Sequence, residues 1–333
     1  MDVQTLPKTM RAAEIDRFGA PEVVHLAVVD RPDPGPDEVL VRMRAASLTV
    51  ADHRMRARDL PAGWGLVGPL MLGIRRPRTR RLGVDGAGVV VATGAGVTAW
   101  APGDEVLVAS GLAMGFHAEY VVVRADRGIA RKPAGTTFEE AAALPFGAVT
   151  ALVFLARAQV GPGTRVLVNG ASGAVGTAVV QLAHAAGAHV TGVCSGRNAD
   201  LVRSLGADRV VDYTTTDFAR EGEVYDVVVD CVGNAPVSRV APVVRRGGAV
   251  LAVVGTPASM VLAPLHGLRV RGTVAVRGAT IPLAEQLRQV TAAVEAGTLR
   301  PVVDRVFDFD DVVEAHRYVD TGRKRGNVVL RLA

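Results

Sequence analysis

Three glycines spaced three residues apart are the part of this chain best suited to chemistry. Gly170, Gly173 and Gly176 follow a predicted strand at residues 165–169, and an apolar predicted helix and a second predicted strand come after them. In such a turn the first glycine permits a tight reversal, the second lets backbone amides approach a pyrophosphate, and the third lets helix and strand pack closely. The pattern predicts a dinucleotide site with the phosphates at the helix N-terminus. The turn residues expected to contact the dinucleotide are Gly170, Ser172, Gly173, Ala174, Val175 and Gly176.

The residues after the second strand indicate which dinucleotide binds. An NAD site usually carries Asp or Glu about 20 residues beyond the turn, where it holds the ribose 2′-hydroxyl. Here Ser195, Arg197 and Asn198 occupy that region, and the first acid is Asp200. Hydroxyl, amide and guanidinium groups can bind a 2′-phosphate. The sequence therefore predicts NADPH as the cofactor, with a solvated polar loop as the purely structural alternative.

Length and composition limit the class of protein. The 333 residues are 49% hydrophobic and 21% charged, which is typical of a globular protein with room for two domains. No apolar run reaches about 18 residues and no signal pattern opens the chain, so we expect a cytoplasmic enzyme that is not an integral membrane protein. The two cysteines, Cys194 and Cys231, cannot form a four-cysteine zinc site and are expected to pack in the core.

Positive charge is concentrated in one segment. Residues 54–81 contain eight arginines against one acid, Asp59, within a chain of net charge +5. The segment lacks the interleaved aromatic residues of a nucleic-acid stacking surface, so no nucleic-acid partner is expected. A solvated loop and a site for an anionic ligand or membrane both remain open.

The elements that must position these residues fall into two groups. Short strand patterns separated by Pro/Gly turns predict a small β-barrel or sandwich-like domain, and residues 60–80 interrupt it as a surface excursion. These predicted strands are Thr9–Ile15, Val23–Val28, Val39–Ala46, Gly88–Thr93, Glu105–Ala109 and Ala118–Val123.

Beyond a helix that Thr136 or Thr137 could cap, strands alternate with helices, which predicts an α/β domain with a parallel doubly wound sheet. These strands are Arg165–Asn169, His189–Cys194, Arg209–Val211, Val224–Asp230 and Ala249–Gly255. A helix at Leu283–Ala296 and a strand at Asn327–Leu332 are predicted near the end of the chain.

Motifs in a fixed order along nearly the whole chain resemble the medium-chain dehydrogenase/reductase superfamily, and most closely its zinc-independent quinone oxidoreductase branch. They include Pro36–Arg42, Ser47–Asp52, Gly83–Gly88, Pro102–Val106, Ala118–Val122, Glu140–Pro145, the glycine turn, Leu205–Asp208, Asp230–Gly233 and Gly326–Leu330. The resemblance implies a GroES-like β-barrel domain built from residues 1–125 and 267–333, a Rossmann NADPH-binding domain at 126–266, an active site in the cleft between them, and a homodimer.

The chain departs from zinc-dependent members of that superfamily at the metal ligands. Thr49 stands where those members have Cys, and Val84 replaces the His of their Gly-His-Glu segment, which here reads Gly83-Val84-Asp85. Valine has no donor atom, and a neutral threonine hydroxyl is a poor zinc ligand. No catalytic metal is expected.

The resemblance also implies further site residues. A tyrosine donor found a few residues after the Thr49 position in many relatives is missing, so the candidate donors are Thr49, His53, Arg54 and His117, with solvent as an open alternative source of the proton. A lone histidine is more often a surface or core residue, so a structural role is the alternative for both His53 and His117. Further cofactor contacts are expected from Thr150, Tyr213, Val232, Gly233, Val254, Gly255 and Asn327, with local packing as the alternative for several of them.

A hydride donor without a metal favours acceptors whose developing charge a few hydrogen-bond donors can hold. We therefore expect an NADPH-dependent reductase of quinones or α,β-unsaturated carbonyls. Its hydrophobic small-molecule substrate is expected to enter near Thr49, His53, Trp64 and His117. A biosynthetic enoyl reductase acting on a carrier-bound or natural-product intermediate, and a non-catalytic, crystallin-like NADPH-binding protein, are the alternatives.

Overall fold

A computed structural model describes residues 6–60, 68–111, 114–253 and 283–332, which form two compact units. The first unit comprises the described residues up to Phe146 together with 283–332, and the second comprises 147–253. The predicted cofactor contacts Val254 and Gly255, and the predicted substrate contact Trp64, lie outside the described residues.

The first unit is built on a seven-stranded sheet and a separate antiparallel hairpin. The hairpin strands are β1 (Thr9–Ile15) and β2 (Val24–Asp30), and the sheet strands are β3 (Glu38–Leu48), β4 (Asp85–Thr93), β5 (Glu105–Ala109), β6 (Tyr120–Arg124), β7 (Ile129–Arg131), β13 (Val303–Asp308) and β14 (Asn327–Arg331). The sheet order is β13-β14-β3-β4-β5-β7, with β6 paired to β3. Within the described sheet, only β13 and β14 pair in parallel.

Helices cover parts of this sheet. Thr137 caps one of them: its hydroxyl accepts from the Glu140 N–H at 3.1 Å, while the Glu140 carboxylate accepts from the Thr137 N–H at 2.9 Å. The alanines of this helix share a core with residues of β3, β4 and β14, so it packs in the first unit, whereas the boundary predicted at 125/126 assigns it to the second domain. The helices of the first unit are Val50–Ala57, Gly68–Leu72, Phe138–Ala142, Leu283–Glu295 and Val312–Asp320.

The strands of the second unit are β8 (Arg165–Asn169), β9 (His189–Cys194), β10 (Arg209–Asp212), β11 (Tyr225–Asp230) and β12 (Val244–Ala252), and its helices are Pro145–Arg157, Ala174–Ala185, Ala199–Ser204 and Val237–Val240. The strands form a parallel five-stranded sheet of order β10-β9-β8-β11-β12, which confirms the predicted α/β class and parallel sheet. The chain leaves β8 toward β9 and β10, then returns to β11 on the other side of β8. Ligands bind at such a reversal point, outside the carboxyl ends of the strands.

Two further expectations can be compared with the structure. Among the described residues, no helix combines the length and apolarity needed to cross a bilayer. Both cysteines are free, and burial raises the pKa of the Cys194 thiol to about 11, as befits a residue packed in the core.

Candidate cofactor and acceptor sites

The glycine turn joins β8 to the helix Ala174–Ala185 in a shape that requires small residues at two points. Gly170 has φ +80°, and a Cβ there would lie 2.7 Å from Cγ2 of Val232. A Cβ on Gly176 would lie 2.1 Å from the Gly170 carbonyl oxygen. Gly173 caps the helix in an extended conformation, and a Cβ there would meet only the Gly170 oxygen, at 3.4 Å. The turn is therefore closely packed around Gly170 and Gly176 and has little contact at Gly173. The helix begins without an acidic residue in its first turn, so no carboxylate there would repel a phosphate. This arrangement fits a diphosphate.

The loop after β9 is tied to this turn. The buried Asn198 side chain donates from Nδ2 to the Ser172 hydroxyl at 3.0 Å, while its Oδ1 has no hydrogen-bond partner among the described residues. Arg197 is exposed, and no carboxylate in the described ranges pairs with it. Of the predicted 2′-phosphate contacts, Asn198 is thus held against the glycine turn, and the guanidinium of Arg197 has no carboxylate partner among the described residues that would compete with a phosphate.

An acid does approach this loop, but from β10. A Cβ on Gly196 would lie 2.4 Å from Oδ2 of Asp212. Hydrogen bonds from the backbone and hydroxyl of Thr214 lower the pKa of Asp212, and a bond from the Gly196 backbone adds to this effect. Its oxygens are therefore already engaged by donors of the protein. The next residue, Tyr213, is 61% exposed, as a side chain that lies against a ligand can be.

A buried carboxylate organises the loop after β11. Asp230 accepts from the backbone N–H groups of Val232 and Gly233 at 3.0 Å and from that of Ala235 at 2.9 Å. The amide of Asn169, the last residue of β8, donates to Asp230 at 2.9 Å and to Asn234 at 2.7 Å. These bonds hold Val232, which is 49% exposed, beside Gly170 at the reversal point of the sheet. No site role was predicted from sequence for Asn169, Asp230 or Asn234.

Two other predicted cofactor contacts occupy ordinary structural positions. Thr150 is half-buried in the helix Pro145–Arg157. Asn327 begins β14 in the first unit, and both its backbone N–H and its side chain donate to the Val302 carbonyl, at 2.8 and 3.2 Å. Their contacts with a cofactor stay predictions.

In the first unit, Thr49 begins the helix Val50–Ala57. Its hydroxyl accepts from the Ala51 N–H at 3.1 Å and donates to Oδ2 of Asp52 at 2.8 Å. The other oxygen of Asp52 accepts from the Gly83 N–H at 2.8 Å. Thr49 and Asp52 are both buried. The hydroxyl predicted to hold a substrate oxygen is thus part of a helix cap that also anchors the segment before β4.

His53 lies one turn along that helix in an ionic network. Its Nδ1 is 2.7 Å from an oxygen of Asp320, and its Nε2 is 3.3 Å from an oxygen of Asp59. The guanidinium of Arg56, which is fully buried, donates to both oxygens of Asp320. Both ring nitrogens of His53 therefore face carboxylates of its own unit.

His117 is fully buried, and its Nε2 donates to the Ser47 carbonyl at 2.8 Å. Its ring meets that of His316 edge to face, with centroids 6.4 Å apart. Burial, reinforced by the charges of His117, Arg56 and His53, lowers the pKa of His316 well below its ordinary value. His316, which the sequence analysis did not identify, is thus a neutral core histidine beside His117.

Asp85 completes this polar interior. It accepts a short hydrogen bond from the Ser47 hydroxyl, and burial raises the pKa of its carboxyl to about 7, with the nearby Asp52 charge adding to the shift. An uncharged carboxylic acid can therefore occupy this position near neutral pH.

The residues at the predicted metal position do not suit zinc. Val84 supplies no ligand, and both hydrogen-bonding functions of the Thr49 hydroxyl are used in the helix cap. Across the described part of the chain, no three His, Cys, Asp or Glu side chains converge as metal ligands do.

Comparisons with known proteins agree with this picture. The alcohol dehydrogenase GroES-like domain model matches residues 35–134, and the zinc-binding dehydrogenase model matches residues 205–330. The 2-methylene-furan-3-one reductase of Solanum lycopersicum is 34% identical over 98% of this chain and 80% of its own length. The chloroplastic NADPH-dependent alkenal/one oxidoreductase of Arabidopsis thaliana is 32% identical over the same shares. Among solved structures, the quinone oxidoreductase from Coxiella burnetii superposes with a TM-score of 0.86 at 29% identity, over 98% of this chain and 100% of that one.

Proposed function

Since the chain belongs to the medium-chain dehydrogenase/reductase superfamily, in its zinc-independent quinone oxidoreductase-like branch, we propose that it is an NADPH-dependent reductase of quinones and α,β-unsaturated carbonyls. The observation that carries the proposal is the compact turn at Gly170–Gly176, which leaves the helix N-terminus open to a diphosphate. The names of the relatives support the acceptor class, since they include an alkenal/one oxidoreductase and a methylene-furanone reductase.

NADPH, when bound, supplies a hydride. In our proposal the turn binds its diphosphate, and Ser195, Arg197 and Asn198 bind its 2′-phosphate. The exposed guanidinium of Arg197 supports this assignment because no carboxylate of the described chain competes for it. Tyr213, Val232 and Gly233 contact the rest of the cofactor. Contacts from Thr150, Asn327, Val254 and Gly255 remain part of the proposal as predictions.

The acceptor chemistry follows from the donor set. The Thr49 hydroxyl, both nitrogens of His53 and the Nε2–H of His117 are engaged within the first unit, so we propose that solvent supplies the proton. A quinone or enone suits a site without a metal because its negative charge develops on an oxygen remote from the hydride, where hydrogen bonds from solvent can stabilise it. An isolated alcohol or aldehyde would need a Lewis acid that these residues do not hold.

Other assignments are predictions that accompany this proposal: a homodimer, a cytoplasmic location and a hydrophobic small-molecule substrate. The names of the relatives do not favour the carrier-bound enoyl reductase or the non-catalytic, crystallin-like alternative, since both relatives above are named as reductases or oxidoreductases.

The acceptor class is tested by following NADPH absorbance with quinones, enones, simple aldehydes and alcohols (the last assayed with NADP⁺) side by side. We expect turnover of quinones or enones and little of the others. Vigorous turnover of plain alcohols, with none of enones or quinones, would contradict the proposal, and so would NADPH binding without turnover of any acceptor.

The cofactor is tested by the variant Arg197→Ala. Losing a charged hydrogen bond costs about 1–3 kcal/mol, so the Kd for NADPH should rise by roughly 5- to 150-fold while the Kd for NADH barely changes. Arg203→Ala is a matched control because Arg203 is also exposed but pairs with Asp200. Equal affinity of the parent protein for both cofactors, or equal losses in both variants, would rule out the assignment.

A further inference from the structure

Residues 72–78 form a closed loop on the first unit, which we call the tied loop. The Arg78 N–H donates to the Leu72 carbonyl at 2.8 Å and closes the base. Gly73 has φ +115°, and a Cβ there would lie 2.0 Å from the Arg76 carbonyl oxygen, so only glycine allows this reversal. The side chain of Arg58 donates to the Ile74 carbonyl at 2.8 Å. The loop is therefore a defined protrusion.

The tied loop presents aliphatic and cationic side chains to solvent together. Ile74 is 65% exposed, and Leu70, on the short helix that leads into the loop, is 60% exposed. Arg75, Arg76 and Arg78 are exposed too, and no acidic side chain among the described residues pairs with them.

The other arginines of this basic segment are used differently. Arg56 is buried against Asp320, and Arg80 and Arg81 pair with Glu14, with Arg80 also reaching Asp16. Arg54 and Arg58 are half-buried, so the exposed arginines of this segment without a carboxylate partner are the three on the tied loop. No acid occurs in the sequence between Asp59 and Asp85, so nothing in that stretch offsets their charge.

We propose that the tied loop docks on an anionic lipid bilayer. Leu70 and Ile74 enter the headgroup boundary, and Arg75, Arg76 and Arg78 bind lipid phosphates. Exposed aliphatic side chains beside cations suit an interface that is apolar below and negatively charged above. A nucleic-acid partner is disfavoured because residues 68–80 contain no aromatic side chain on which a base could stack.

The test is co-sedimentation of the full chain with mixed phosphatidylglycerol–phosphatidylcholine vesicles and with phosphatidylcholine vesicles alone. Each arginine near an anionic surface should contribute about fivefold in partitioning, so R75Q/R76Q/R78Q should lose roughly 100-fold. Rising salt should release the wild-type protein from the anionic vesicles. The variant L70S/I74S should bind more weakly at low and high salt alike.

The matched control is R127Q/R246Q/R323Q, which removes three exposed arginines elsewhere and changes the net charge equally. We expect it to bind anionic vesicles nearly as well as the wild type, with thermal melting confirming that every variant folds. Three results would overturn the proposal: no preference for anionic vesicles, equal losses in the two triple variants, or binding to nucleic acid without binding to vesicles. Because no cofactor or acceptor is present, the result is independent of the proposed reductase activity.

Discussion

Replacing Asp85 by Asn should change how the stability of the protein depends on pH. The carboxyl of Asp85 is buried, and its pKa rises from an ordinary 3.8 to about 7. Between these two values the native state holds a proton that the unfolded state has released. The contribution of the Asp85 carboxyl to the free energy of unfolding is therefore fully present below pH 3.8 and is lost as the pH rises through about 7.

The size of the effect follows from the shift. About three pKa units at about 1.4 kcal/mol each give roughly 4 kcal/mol of unfolding free energy lost by the time the native carboxyl has ionised. Asparagine keeps an acceptor for the Ser47 hydroxyl but cannot ionise. The variant should therefore gain stability relative to wild type as the pH rises, by about 4 kcal/mol from about pH 4 to about pH 8. If the amide packs less well than the carboxyl, the cost is the same at every pH. It therefore does not change how the stability difference between variant and wild type depends on pH.

The assay is urea unfolding of both proteins across that pH range, followed by circular dichroism. Asp200→Asn is the control, since the side chain of Asp200 is fully exposed and its variant should track the wild type at every pH. If the wild-type and Asp85→Asn stabilities run parallel with pH, the Asp85 carboxyl is not held protonated and the argument from burial is wrong.

Three further outcomes are expected. Gly176→Ala places a Cβ against the Gly170 carbonyl, so it should destabilise the protein by roughly 1–3 kcal/mol and weaken NADPH binding, as thermal melting and fluorescence titration would record. Asp320→Ala leaves the buried guanidinium of Arg56 without its carboxylate and should cost about 3 kcal/mol in urea unfolding, whereas Asp310→Ala, at an exposed pair, should cost under about 1 kcal/mol. Exhaustive chelation should leave turnover intact, and one tightly held zinc per chain by elemental analysis would contradict the metal-free reading.

Sequence patterns located strands of the second unit well because the features that identify them lie within short stretches of the chain. Strands β8 and β9 have the predicted bounds, since each is a short apolar run delimited by turn residues. The helix Val50–Ala57 was not predicted, because its arginines and histidine hide any apolar period, although Thr49 and Asp52 carry a capping signal that could have revealed it. Strand β13 was also missed: it is partly exposed and forms only by pairing with β14.

For the candidate sites too, residues close together in sequence could be predicted, whereas residues that meet only in the folded chain could not. The turn glycines are readable because their spacing is fixed by backbone geometry within seven consecutive residues. Asn169 and Asp230 are 61 residues apart in sequence and meet only when β8 and β11 pair, so no linear pattern could reveal their hydrogen bond. Likewise, the apolar spacing within Val312–Asp320 places His316 on the buried face of its helix, but no linear pattern shows that it lies beside His117.

The loop after β11 has a consequence for the kinetics of cofactor exchange. Four donors converge on one carboxylate at Asp230, three of them from the backbone of the loop itself. Lifting the loop would leave the buried oxygens of Asp230 without these hydrogen bonds, so the loop is a poor low-energy hinge. The backbone beside Gly170 is thus held in one shape, and we expect a slow step in dinucleotide exchange to arise from motion elsewhere in the protein.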